Sequence, residues 1–109
     1  MAWLVRSEHV ISTLNRAPRR LLFASSKNGV VDADESTLLN RFSLLISWRL
    51  DFGVFIVRLA KDGSITSLGY HRPRILPLFV VAVSETFVVP QKIAEHARLA
   101  LGDVFEVID

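Results

Sequence analysis

The sequence predicts an α+β fold: one small β-rich domain over residues 1–109, with a mostly antiparallel sheet or partly open barrel and one or two short helices. Three observations carry that prediction. Val54 to Ala60, Lys61-Asp62-Gly63 and Ser64 to Leu68 read as a β-hairpin around an Asp-Gly turn. Leu78-Phe79-Val80-Val81-Ala82-Val83 is a continuous apolar run, the pattern of a strand covered on both faces. Pro90 opens the best helix pattern, with Ile93, Ala97 and Leu101 on one stripe and Gln91, Glu95 and Arg98 opposite.

The remaining elements follow in chain order. Trp3 to Arg6 is short and apolar and suits a strand. Ser7-Glu8 then turns it into a second strand, His9 to Leu14, rich in β-branched residues. Arg16 to Phe23 fits a short helix with Pro18 near its first turn. Lys27-Asn28-Gly29-Val30 reads as a turn. Thr37 to Trp48 reads as one half-buried strand, because Phe42, Leu44 and Ile46 alternate with Ser43, Leu45 and Ser47. In the central hairpin Phe55, Val57 and Leu59 share one face, while Ile56, Arg58 and Ala60 share the other. Gly69 to Pro77 reads as a connection. Gly102 supplies a helix stop, and Val104 to Ile108 alternates as a final strand. The expected core is Leu4, Leu22, Ile46, Trp48, Phe55, Val57, Leu59, Val81, Ile93, Ala97, Val104 and Phe105.

Composition narrows the function classes. Half the residues are hydrophobic and 22% are charged, which excludes a disordered chain. Thirteen Lys and Arg stand against eleven Asp and Glu, so the net charge is only +2, too small for a nucleic-acid footprint. With no Cys, disulfide scaffolds, iron–sulfur clusters and thiolate zinc are excluded. The opening apolar stretch ends at Arg6, and Arg41, Arg49, Asp51 and Arg58 interrupt the most apolar region. No signal peptide or spanning helix is therefore expected, and the reading is a soluble, cytoplasmic protein.

Three stretches resemble a family known as domain of unknown function 192, also called uncharacterised protein family 0127. Ala2-Trp3-Leu4-Val5-Arg6 leading to Arg19-Arg20-Leu21-Leu22 is similar to the family's opening strand and its Arg-Gly-Leu-Leu/Met turn. Trp48-Arg49-Leu50-Asp51-Phe52-Gly53-Val54, running into Lys61-Asp62-Gly63, resembles the central segment. Pro90 through Leu101-Gly102-Asp103-Val104-Phe105 resembles the closing helix and strand. The resemblance covers nearly the whole chain and rests on order and spacing. It departs from the family where polar groups are expected. The family's central His falls on Ile46, its Met on Leu50, its Pro on Gly53 and its Asp on Phe55. Arg20 stands for the Gly of the first motif, and Val88 for an acidic residue before Pro90. The resemblance thus implies the fold with any polar site removed.

Motif chemistry is sparse. His9, His71 and His96 form no i, i+4 ligand pair, so no metal is expected. There is no Gly-x-Ser-x-Gly elbow, and the five glycines make neither a dinucleotide fingerprint nor a Walker loop. Asp32, Asp34 and Glu35 read as a solvated loop. No catalytic residue, cofactor or metal site is assigned, and the balance leans against an enzyme. Two constellations remain. Arg16, Arg19 and Arg20, with Tyr70, His71, Arg72 and Arg74, could form an anion or acidic-partner patch, since Arg offers a planar fork to carboxylate or phosphate. Ordinary solvent-facing arginine explains the same residues. Trp48, Leu50, Phe52 and Phe55 could line an apolar pocket for a small molecule.

The leading functional reading is a non-catalytic domain that binds another protein chain, or its own copy, through an exposed strand edge or apolar patch. Its basis is a high apolar fraction in a chain too small to bury all of it. The alternative is a small-molecule binding domain with the apolar pocket around Trp48 and Phe55.

Overall fold

In the computed structural model the chain is described over residues 2–16, 21–24, 34–39, 43–47, 50–73, 78–82 and 85–109. Ten strands and one helix are formed there: β1 Ala2–Arg6, β2 His9–Arg16, β3 Leu21–Ala24, β4 Ser36–Leu39, β5 Ser43–Ser47, β6 Val54–Leu59, β7 Ile65–His71, β8 Leu78–Ala82, β9 Thr86–Pro90, α1 Gln91–Ala97 and β10 Phe105–Ile108. Seven strands make one sheet in the order β10-β1-β2-β4-β9-β6-β7, and β3-β5-β8 make a second. Both sheets are mixed. Most ladders are antiparallel, as expected, but the pairs β2–β4 and β3–β5 run parallel, so neither sheet is purely antiparallel.

The larger sheet curls into a half-barrel. Its edges meet at one place, where Ser64 bridges Val104. Three backbone hydrogen bonds seal the junction: Ile65 N–H to Asp103 O at 2.7 Å, Gly102 N–H to Ile65 O at 3.0 Å and Phe105 N–H to Gly63 O at 2.9 Å. Gly63 is required there. Its φ is +89°, and a Cβ would lie 2.8 Å from the Phe105 carbonyl oxygen. The helix packs on β9, β2 and β6. The radius of gyration, 12.6 Å, is close to the roughly 13 Å of a compact chain this long.

Two apolar clusters flank the central strands. Leu4, Leu14, Val57, Leu59, Ile65, Phe87, Val89, Ala94 and Phe105 fill the curl, with Phe87 and Phe105 edge to face at 5.8 Å between ring centroids. On the outer side Leu39, Leu50, Val54, Ile56, Val80, Ala82 and Val88 join β4, β6 and β9 to β8 of the second sheet. Strands β4, β6 and β9 are therefore buried on both faces. Arg58, on the outer side of β6, donates to the Val81 carbonyl at 3.0 Å and so ties the sheets together.

The hairpins form where the sequence places them. Ser7 and Glu8 both take positive φ, 50° and 67°, which closes β1 onto β2 with a two-residue loop. The Asp62 carboxylate accepts from Ser64 N–H at 2.9 Å and from Ser64 Oγ–H at 2.6 Å in the second hairpin.

Several expectations are corrected. The helix expected over Arg16 to Phe23 is not formed: Arg16 ends β2 and Leu21–Ala24 is a strand. Pro18 does open a helix pattern, but parallel pairing of β3 with β5 prevails over that local preference. The single strand expected over Thr37 to Trp48 is two strands in two different sheets. Leu78–Ala82 is an edge strand covered on one face, so Val81 is 52% exposed, and the apolar run buried throughout is Thr86–Pro90. Strand β7 runs on to His71, into the segment expected to be a connection. The helix ends at Ala97 with Arg98 in the left-handed conformation, ahead of the expected stop at Gly102. Its buried residue is Ala94; Ile93 and Ala97 are half-buried and Leu101 is exposed. Of the expected core, Leu4, Val57, Leu59 and Phe105 are buried and Phe55 is half-buried, whereas Val104 is exposed. The side chains of Leu22, Ile46 and Trp48 lie outside the described residues.

Candidate interaction surface

Strand alternation places Trp3 and Val5 of β1, Val10 and Thr13 of β2, and Val104, Glu106 and Ile108 at β10 on one outward face. The pairings confirm the rows: Ile108 opposite Trp3 opposite Thr13, and Glu106 opposite Val5 opposite Val10. A β-bulge between Leu4 and Val5 leaves Ile11 extra on β2, and Ile11 turns inward onto the core. That shift keeps Val10 outward.

The face is apolar and open. The large hydrophobics exposed among the described residues are seven, and four of them lie here: Trp3, Val10, Val104 and Ile108. Val5 is buried at the centre of the same face and belongs to neither core cluster. The adjacent edge is closed at Val104 and Phe105, where Ser64 and Gly63 meet it, and continues past that junction. Phe105 turns its N–H away from β1 to reach Gly63, so by alternation Val107 presents its N–H and C=O at the sheet's outer edge.

Several charges around the face are paired. Arg16 holds Asp109 through two hydrogen bonds, 2.6 and 3.1 Å. The arginine keeps the Asp109 carboxyl below its ordinary range, and the carboxylate in turn raises the guanidinium. Arg6 pairs with Asp103 at 3.0 Å, and Lys92 with Asp34 at 2.5 Å. Glu106 is exposed and makes no ion pair among the described residues.

The residues singled out in the sequence are placed elsewhere or apart. Arg16 is engaged by Asp109, and β4, β9 and β6 stand between its strand and β7, which carries Tyr70 and His71. Tyr70 leans on Phe55, with ring centroids 5.1 Å apart, and donates to Gln91 Oε1 at 2.9 Å. Gln91 passes a hydrogen bond to Glu95 at 2.8 Å, and its N–H reaches Gly53 O at 2.8 Å. These contacts fasten the start of α1 to β6 and β7. His71 pairs with Val54 in the ladder and Arg72 is exposed beyond it. Arg19, Arg20 and Arg74 lie outside the described residues, as does Trp48. Of the pocket residues, Leu50 and Phe52 pack on the outer cluster and Phe55 on the inner one, so the sheet separates them. Among the described residues no group of three or more His, Asp or Glu side chains gathers to hold a metal ion. No helix there is long and apolar enough to cross a membrane.

Sequence reasoning missed the face because its residues come from both ends of the chain. The signal was present in β10, where Val104, Glu106 and Ile108 alternate with the buried Phe105.

No family model and no curated protein matches the chain. Among solved structures, it is similar to a protein from Sinorhizobium meliloti described as a "putative transcription regulator", with 13% identity and a TM-score of 0.54. The match covers 97% of this chain and 91% of that one. The likeness is one of fold over nearly the full length of both chains.

Proposed function

We propose that this chain is a non-catalytic interaction domain that binds another protein through the outward apolar face of β10-β1-β2 and the short stretch of β10 edge at Val107. One observation carries the reading: Trp3, Val10, Val104 and Ile108 are gathered on a single sheet face and are all exposed. Isolated exposed apolar residues are ordinary, but a contiguous set on one sheet face is a common form of a protein contact. Main-chain hydrogen bonds at Val107 supply attachment, and the apolar side chains supply area.

Native mass spectrometry on protein purified gently from its own host tests this, alongside the variant Val10→Thr/Val104→Thr/Ile108→Thr. Threonine keeps β propensity and removes apolar surface. A second polypeptide present at fixed stoichiometry on the natural protein and absent from the variant is the expected result. A bare natural protein, or a polypeptide retained equally by the variant, would overturn the reading.

A further inference from the structure

The opposite edge of the sheet, β7, holds a glycine that the single chain does not explain. Gly69 lies in the interior of β7, where glycine weakens a strand. Gly63 and Gly102 have positive φ, and Gly53 is crowded by Tyr70 and Gln91. Gly69 has no positive φ, and a Cβ there would meet nothing within 4 Å. The bulge in its ladder lies at Thr66, away from it. A strand glycine outside a bulge or bend commonly marks the close approach of another backbone. Independently of the apolar face described above, we infer that β7 pairs antiparallel with β7 of a second copy of this chain, about a two-fold axis at Gly69.

The direction of the backbone groups supports that pairing. Leu59 N–H reaches Glu85 O and Gly53 O accepts from Gln91 N–H, so the odd-numbered residues of β6 turn away from β7. By alternation Val54, Ile56 and Arg58 bond to β7, through His71, Gly69 and Ser67. Leu68 and Tyr70 therefore turn N–H and C=O to the outer edge, where neither has a backbone partner among the described residues. The closure of the half-barrel stops at Ile65, and Pro73 follows the other end of the strand. Between them lie residues 66–72, with Gly69 at the midpoint. Two such stretches overlap fully only when Gly69 faces Gly69. Leu68 then opposes Tyr70 of the second copy, and each such pair exchanges two main-chain hydrogen bonds. Leu68 packs on the inner cluster and Tyr70 on Phe55, so the apolar inner layer continues across the axis. Residues 66–71 include no Asp, Glu, Lys, Arg or Pro, the residues that guard strand edges, so two copies bring no like charges together there.

Charge-swap variants test the register directly by sedimentation equilibrium. Because the two Gly69 residues meet at the axis, Gly69→Lys sets Lys against Lys and Gly69→Glu sets Glu against Glu. The natural chain forms a concentration-dependent dimer at up to about 1 mM, a range that detects even weak pairing. Each variant alone dimerises about fivefold more weakly, and an equimolar mixture of the two restores the dimer, as directly opposed like and opposite charges require. Circular dichroism of both variants stays that of the natural protein, since a side chain at this position enters open space. The threonine variant of the apolar face dimerises as the natural chain does, so the two surfaces are tested separately. A natural chain that is monomeric at about 1 mM overturns the inference and leaves the reading of the apolar face standing. A dimer that both Gly69 variants retain unchanged, or that the threonine variant abolishes, also overturns it. Weakened variants whose mixture stays monomeric overturn the register at Gly69.

Discussion

Strands β6 and β9 and strands β1 and β10 belong to one curled sheet and draw on similar residues, yet their outward faces meet different surroundings. In β6 and β9 the outward residues Val54, Ile56 and Val88 are buried against Val80 and Ala82 of the second sheet. In β1 and β10 the outward residues Trp3 and Ile108 are 38% and 46% exposed. The inward faces are alike: Val57, Phe87 and Val89 on one side and Leu4 and Phe105 on the other share one cluster. The difference teaches that residues of similar character on one sheet are buried or exposed according to whether the second sheet packs over them.

The comparison can be broken most easily from the covered half. Phe87 is fully buried and meets Phe105 edge to face, so Phe87→Ala opens a cavity at the middle of the doubly covered strand. It should cost about 3–5 kcal/mol in urea unfolding, enough to unfold a marginal domain. Gly53→Ala should come next. A Cβ there would stand 2.5 Å from both Gln91 Oε1 and the Tyr70 hydroxyl, where β6, β7 and α1 join. Displacing those side chains should cost about 1–3 kcal/mol, measured the same way.

The open half should answer in the other direction. Ser7 and Glu8 hold positive φ without being Gly or Asn. Replacing them together by Asn-Gly, the pair this turn favours, should raise stability by about 1 kcal/mol. A loss would show that Ser7 or Glu8 supports the hairpin by another contact. The smallest effect is a pH dependence at Asp62. Its carboxyl is held below the ordinary range by Ser64, chiefly the side-chain hydroxyl and then the backbone N–H. The stabilisation is therefore fully present above the unfolded carboxyl range, about 3.9, and is lost as pH falls through the lower folded value. Unfolding curves taken between about pH 5 and pH 2 should lose less stability in Asp62→Ala than in the natural chain.

Legibility in the sequence followed how local each signal was. The Ser7-Glu8 turn, the Asp62-Gly63 hairpin and the Pro90 helix start are set by a few neighbouring residues, and the structure has all three. Parallel pairing of β2 with β4, and of β3 with β5, depends on distant partners, and periodicity does not report it. The strand Thr86–Pro90 went unread because it is buried on both faces and so does not alternate, while Leu78–Ala82, with an equally apolar pattern, lies at an edge. The exposed apolar face is legible only as an excess of apolar residues. Which of them remain outside depends on where the second sheet stops.

Urea unfolding of Val88→Thr beside Val10→Thr/Val104→Thr/Ile108→Thr tests the division of the sheet most directly. Val88 is 1% exposed, and a hydroxyl there enters the layer between the sheets. That single change should cost about 1–3 kcal/mol. The three changes on the open face should together stay within about 1 kcal/mol of the natural chain. A triple variant destabilised as much as Val88→Thr or more would contradict the account, because the open face would then be part of what holds the fold.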